Sequence, residues 1–278
     1  MSVNLVTKYA GKIEDRFILE SLVFGKGKAT YNFDGVRTVK ALSPTTVALT
    51  DYNSALTTGP RFGALVEMQD VENIYTIRKD RSFNIAIDKG NNESQLNLKG
   101  AGRMMKLEVD EQVIPELDMY ALNEYATTDG INSITLATVN KNNIVDAYAE
   151  AIAKLVNGKV PMTGIISWIG ATAFSKLIAS PEFLNIDALG IKAVSKGILG
   201  ECQGAKVIRV PDSYMPTGVH FLMAHENVLM PIKKINTLRV KDDHDDVDGS
   251  VLQGRIMYDA YVIKQKVKGV CVCKASAS

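Results

Sequence analysis

The sequence predicts a mixed α+β fold, and three observations carry the prediction. Segments that alternate polar and apolar residues lie toward both ends of the 278-residue chain. Two stretches between them repeat apolar residues at three- and four-residue spacing, the period of a helix. Several short strand-like runs lie in the middle, so strands fall at both ends with helices between. No internal repeat is visible.

Residues 1–50 read as an extended arm punctuated by Gly25, Gly27 and Gly35, mildly basic, with a short helix possible over 11–21. The arm holds too few apolar residues to form its own core, so it is expected to pack on something else. Residues 64–88 read as a β-ribbon. Ala64, Val66 and Met68 alternate in its first strand and Phe83, Ile85 and Ile87 in its second, with the charged run Arg78-Lys79-Asp80-Arg81 between them at the tip. A lone two-stranded ribbon is marginal in water, so a projecting one is expected to find its partner on a neighbouring molecule.

Residues 94–126 read as a long helix with Leu98, Ala101, Met105, Val109, Val113, Leu117 and Tyr120 on one face. Pro115 lies inside it. Proline lacks a backbone donor and collides with the carbonyl four residues earlier, which predicts a kink or break near Glu111–Pro115. Polar turns follow over 127–142. A second amphipathic helix then carries Ile144, Tyr148, Ala151, Ile152 and Leu155, with Asn142 or Asn143 as N-cap and Gly158 as its stop. Residues 164–169 read as a buried strand, 171–179 as a helix, 206–210 and 220–224 as short strands, and 228–240 as extended chain. An acidic turn, KDDHDDVDG, occupies 241–249. The strongly alternating residues 251–273 form two strands meeting near Lys268-Gly269.

Charge and composition exclude several functions. The formal net charge is +1, from 32 basic and 31 acidic residues, which gives no electrostatic reason for tight nucleic-acid binding. The hydrophobic share of 46% supplies enough apolar surface for a core without disulfides or metals. The three cysteines, Cys202, Cys271 and Cys273, are odd in number and widely spaced, as in a reducing compartment. The N-terminus shows no apolar run of the signal-peptide type, and no stretch is apolar enough to span a bilayer. The chain is therefore expected in the cytosol or in something assembled there.

Catalytic and metal motifs fail on spacing. The glycines around Ser167 stand at the wrong distance for a nucleophile elbow. Gly25 and Gly27 match neither a Walker loop nor a dinucleotide fingerprint. Reading Asp248-Gly249 as the fifth and sixth positions of a calcium loop puts His244 first and Arg255 last, so the first carboxylate and the closing bidentate ligand are both lost. Cys271 and Cys273 point to one face of a strand without a partner pair for a metal. Trp168 reads as core, and His220 and His225 as structural. No catalytic residue, cofactor or metal is expected.

The order of parts then resembles a known family. An arm, a charged projecting ribbon, a long helix, an α/β region and return strands resemble the major capsid proteins of tailed bacteriophages, which have the Hong Kong 97-like fold. Three stretches carry the likeness: SFNIAIDKGNNESQ leading to VIPELDMYALNEYA, GAKVIRVPDSYMP followed by HFLMAHENVLMP, and DDVDGSVLQGRIMYDAYVIKQKVKGVCV. The resemblance implies an N-terminal arm over 1–54, an extended loop over 55–90, a peripheral domain from 91–130 and 241–278 with a spine helix, and an axial domain over 131–240. It implies self-assembly into hexamers and pentamers of an icosahedral shell around double-stranded DNA. A separate scaffolding protein and a portal protein would be partners, and the shell would assemble in the bacterial host cytoplasm. Arg78, Lys79, Asp80 and Arg81 are the candidate inter-subunit contacts. An encapsulin-type compartment shell is the nearest alternative, followed by a small-molecule enzyme built on the α/β middle and a monomeric binding module.

Overall fold

A computed structural model describes residues 20–29, 31, 33, 36–54, 60–94, 100–180, 198–242 and 248–275. The chain divides into a small unit, Tyr31–Ile77, and a body comprising Met1–Thr30 and Arg78–Ser278.

The small unit is an antiparallel ribbon. Strand β1 (Thr38–Pro44) pairs with β2 (Asp70–Thr76) from Thr38 opposite Thr76 to Pro44 opposite Asp70. Pairing continues past the strands, with Thr45 N–H donating to Gln69 O at 2.8 Å and Asn53 N–H to Arg61 O at 2.9 Å. This corrects the expected ribbon. Residues 64–69 do not pair with 83–87, and Arg78 to Arg81 do not form a tip.

Strand β3 (Lys79–Asp88) lies instead in the body, in a three-stranded antiparallel sheet ordered β3-β10-β9, with β9 at Leu229–Lys241 and β10 at Gly249–Val262. Gly254 of β10 makes room for the ring of Phe83 opposite it on β3. A Cβ at that position would fall 2.2 Å from the ring. A short helix, α1 (Lys89–Ser94), follows β3.

The long helix is present without a break. It runs as α2 (Ala101–Glu108), a π-turn over Val109–Val113 and α3 (Ile114–Thr127). Pro115 has no N–H to reach the Glu111 carbonyl and its ring would collide with it. The wider turn absorbs that conflict, and Ile114 N–H reaches back five residues to Val109 O. The expected disruption is therefore a local widening. Of the residues predicted to start this helix, 95–99 lie outside the described residues.

The second sheet is mixed and six-stranded, ordered β4-β11-β8-β5-β7-β6. Its strands are β4 (Asn132–Thr135), β5 (Ile165–Gly170), β6 (Ile198–Cys202), β7 (Ala205–Val210), β8 (Val219–His225) and β11 (Val270–Lys274). Every residue of β5 is buried, because both faces of the sheet are covered. Ile165 and Ile169 pack with Phe221, Met223, Cys271 and Cys273 against α4 (Ile144–Asn157) and α5 (Ala171–Ile178). Ile166 and Trp168 point the other way, with Leu222, Val270 and Val272, onto Ala121, Leu122 and Tyr125 of α3. Tyr148 of α4 and Ser167 of β5 share a buried hydrogen bond of 2.8 Å. Asn143 stands at the α4 N-cap, but its side chain serves the preceding turn, taking Asn140 N–H and donating to Thr138 O. Strands β10 and β11 do not pair with each other. A short 3-10 segment, Lys264–Gly269, carries the chain from one sheet to the other.

Candidate assembly surface

Apolar residues on the ribbon unit are concentrated on its outside. Twelve of the eighteen large hydrophobic side chains exposed among the described residues lie in Tyr31–Ile77. Leu49 and Leu65 are exposed at 101% and 102%, and Phe62 at 83%. Val66 and Met68 belong to the same run.

Register explains the rest. Thr38, Lys40 and Leu42 share one face with Thr76, Ile74 and Glu72, and that face is exposed. Tyr75 and Asn73 occupy the opposite face and are buried, Tyr75 beside Tyr31 with ring centroids 5.6 Å apart. On the open face Lys40 and Glu72 pair at 2.8 Å, flanked by Leu42 and Ile74. Tyr52 and Phe62 meet edge to face at 5.1 Å across the outer part of the ribbon. A monomeric soluble protein rarely leaves so contiguous an apolar run in water unless another surface covers it.

The four charged residues expected at a ribbon tip all have partners within the body. Arg78 is the most deeply engaged. Its backbone N–H and Nε donate to Asp259 Oδ2 at 2.8 and 3.0 Å, and its Nη2 donates to Asp259 Oδ1 at 2.9 Å and Glu124 Oε2 at 2.7 Å. Lys79 Nζ sits 5.2 Å from the centre of the Tyr120 ring. Asp80 receives two parallel bonds from Arg255, at 3.0 and 2.7 Å. Arg81 Nε donates to Glu116 Oε1 at 2.9 Å, an oxygen that also accepts from Tyr258 OH.

Asp259 lies fully buried on β10, just past a register shift between Met257 and Tyr258. Burial alone would raise its pKa. The Arg78 guanidinium, the N–H groups of Arg78 and Ala260 and the Tyr120 hydroxyl outweigh burial and hold the carboxyl below its ordinary range. The same network raises the Arg78 guanidinium and, together with burial, the Tyr120 hydroxyl.

A second buried carboxylate, Asp118 of α3, accepts from Ser21 Oγ and from the N–H groups of Leu22, Val23 and Phe24 at 2.7–3.3 Å. Trp168 Nε1 donates to Leu22 O at 3.0 Å, so residues 21–24 are tied to both α3 and β5. Sequence reasoning missed both carboxylates, although each shows a signal. Asp118 falls among the apolar-face residues Leu117, Ala121 and Leu122, and Asp259 interrupts an apolar strand. A carboxylate in either place requires donors.

The remaining candidates serve the fold. A cleft of about 590 Å³ beside the start of α5 contains Thr172, Asp212 and His220. Asp212 accepts from the Thr172 N–H and hydroxyl, capping a helix whose N-cap residue is Gly170, and His220 Nε2 bonds Leu136 O at 3.0 Å. His225 Nδ1 accepts from Asn227 N–H. All three cysteines are buried, and burial pushes their thiols up, Cys202 to about 11 and Cys271 and Cys273 to about 12. Residues 243–247 of the acidic turn lie outside the described residues. Among the described residues no group of three His, Cys, Asp or Glu side chains is arranged to hold a metal, and no helix is long and apolar enough to cross a membrane.

No family model matches the sequence, and no curated protein does. Solved structures match over nearly the whole chain. The capsid of the cyanophage P-SCSP1u aligns over 99% of this chain and 94% of its own, at 14% identity and a TM-score of 0.76. The mature capsid of bacteriophage PhiM1 aligns over 99% and 93%, at 11% identity and 0.72. A virus-like particle from Pyrococcus furiosus aligns over 91% of each chain, at 11% identity and 0.54. With its three-stranded sheet on a long helix, its six-stranded sheet between helices and its separate ribbon, the chain has the major-capsid-protein fold of tailed bacteriophages.

Proposed function

We propose that the chain is the major capsid protein of a tailed bacteriophage. It self-assembles into the icosahedral shell that encloses the double-stranded DNA genome. The observation that carries the reading is the exposed apolar face of the ribbon unit. A two-stranded ribbon with fully exposed leucines is unstable as a free surface and is completed by a neighbouring subunit. The likeness to phage capsids over almost the full chain supports it.

The expected bounds, an arm over 1–54, an extended loop over 55–90, a peripheral domain over 91–130 and 241–278 and an axial domain over 131–240, are redrawn in this reading: the segment around residues 20–29 ends the N-terminal arm, and the ribbon unit Tyr31–Ile77 is the extended loop. The helix over Ala101–Thr127, with β3, β9 and β10, forms the peripheral domain and its spine. The six-stranded sheet with α4 and α5 forms most of the axial domain. Arg81 keeps 64% of its side chain exposed and Arg78 keeps 47%. That exposure supports the part expected of Arg78, Lys79, Asp80 and Arg81 in contacts between subunits, beside the bonds they make in their own chain. A scaffolding protein and a portal protein complete the assembly in the host cytoplasm. The near-zero net charge suits a wall that encloses DNA without binding its sequence.

The likeness to the Pyrococcus particle favours a second reading, an encapsulin-type compartment shell. Electron microscopy of the purified chain, produced alone and with its neighbouring genes, tests both. Closed shells or capsomer rings are expected. Packaged DNA distinguishes a phage head from a shell filled with cargo enzyme, and a persistent monomer of 30.3 kDa under both conditions refutes the shell role.

A further inference from the structure

The two buried carboxylates flank the ribbon unit in the chain. Asp118 holds residues 21–24, shortly before Tyr31, and Asp259 holds Arg78, the first residue after Ile77. Both grips converge on α3. Asp118 belongs to that helix, Tyr120 two residues on donates to Asp259 at 2.9 Å, and Glu124 accepts a further bond from Arg78. The grips also share a packing cluster. Phe24, whose N–H is held by Asp118, packs with Tyr120 against Leu117, Ile256 and Tyr258. Tyr120 and Tyr258 meet edge to face at 5.4 Å within it.

Each grip depends on a full donor set, because a carboxylate removed from water is tolerated only while its hydrogen-bond donors stay in place. Loss of the Asp118 grip frees Phe24, and the freed ring leaves a void in the Leu117, Ile256 and Tyr258 cluster on which Tyr120, which donates to Asp259, also packs. We infer that Asp118 and Asp259 form a two-point clamp on α3 whose grips open together, so that residues 21–24 and the chain at Arg78 are released in concert, while Lys28 and Ala29 keep their own bonds to Glu226 and Leu229 before Tyr31. The clamp lies wholly within the body, and the inference does not rest on the shell reading.

Hydrogen exchange followed by mass spectrometry on the full chain tests the clamp. Asp118→Asn turns an acceptor oxygen into an NH2 facing backbone donors, so exchange at Leu22–Phe24 should speed by about tenfold or more, the loss of one bond to a charged group. A clamp also requires the amides of Arg78 and Lys79 to speed severalfold in that variant. Reciprocally, Asp259→Asn should speed exchange at 22–24, while β5 and β8 keep their protection in both. Responses confined to the mutated end would overturn the inference, and so would loss of protection throughout the body. Arg78→Lys is the milder companion, keeping the charge and the backbone N–H but losing the planar fork. It should show the same cross-effect at smaller size, and no response at 22–24 would overturn the clamp even if an Asn variant failed to fold.

Discussion

Replacing Leu49 and Leu65 together by serine tests the apolar face of the ribbon with the least disturbance to the subunit. Both side chains are completely exposed in the free chain. Their loss should therefore change subunit stability by no more than about 0.5 kcal/mol, the usual range for surface sites. Full burial of a leucine against a partner is worth about 1.5–3 kcal/mol. Association and side-chain ordering oppose that gain, so about half survives at an interface. For two leucines the net loss is then about 1.5–3 kcal/mol per subunit, raising the concentration at which shells form roughly 10- to 150-fold. Sedimentation velocity across a dilution series reads that threshold, and a thermal melt by circular dichroism reads the subunit. An unchanged threshold with an unchanged melt would refute the reasoning, because the most exposed large apolar groups among the described residues would then touch nothing in the assembly.

Three further outcomes follow from the body. Asp259→Asn should cost about 2–4 kcal/mol near neutrality, discounted for the half-exposed guanidinium of Arg78. The Asp259 carboxyl sits below its ordinary value of 3.8 in the folded chain, so its stabilisation is complete above that value and is lost as pH falls through the lower folded one. Urea midpoints of parent and variant should thus converge only below about pH 4, and convergence on the alkaline side would contradict the ion pair. Gly254→Ala should destabilise by about 1–3 kcal/mol, because the new methyl meets the Phe83 ring, and adding Phe83→Leu should recover part of the loss in the same melt. A maleimide applied to the native chain at pH 7.5 should leave Cys202, Cys271 and Cys273 unlabelled and modify them only in denaturant, since all three are buried and their thiolates are disfavoured.

The elements that bury a periodic face were legible in the sequence. Ile144, Tyr148, Ala151 and Leu155 return on one side of α4, and the unbroken apolar run of β5 announces a strand covered on both faces. The ribbon was misplaced because its signal is weaker. In β1 the exposed Leu42 lies on the same face as Thr38 and Lys40, so apolar residues occupy both faces and period-two alternation is blurred. The clean alternation of Phe83, Ile85 and Ile87 drew the prediction to β3, whose buried face packs with Leu252 and Met105 in the body. Pro115 predicts a kink or break, but its accommodation by a π-turn depends on the surrounding helix, which local propensity does not encode. The pairing of Asp259 with Arg78 spans 181 residues of sequence, a separation no periodicity reports.

The blurred pattern of β1 and β2 is itself informative. A strand that must bury one face in its own chain is selected for strict alternation, because a slip of one residue exposes its core. The ribbon tolerates Leu42 and Ile74 on its open face, with Lys40 and Glu72 beside them, because that face is not finished by its own chain. The ion pair keeps the edge soluble while the subunit is free, in the way charged residues guard open strands against unspecific pairing. The six-stranded sheet of the body differs, since both of its faces are closed by α3, α4 and α5. On the proposed reading, burial in the body carries stability and the apolar surface of the ribbon is kept for a second copy.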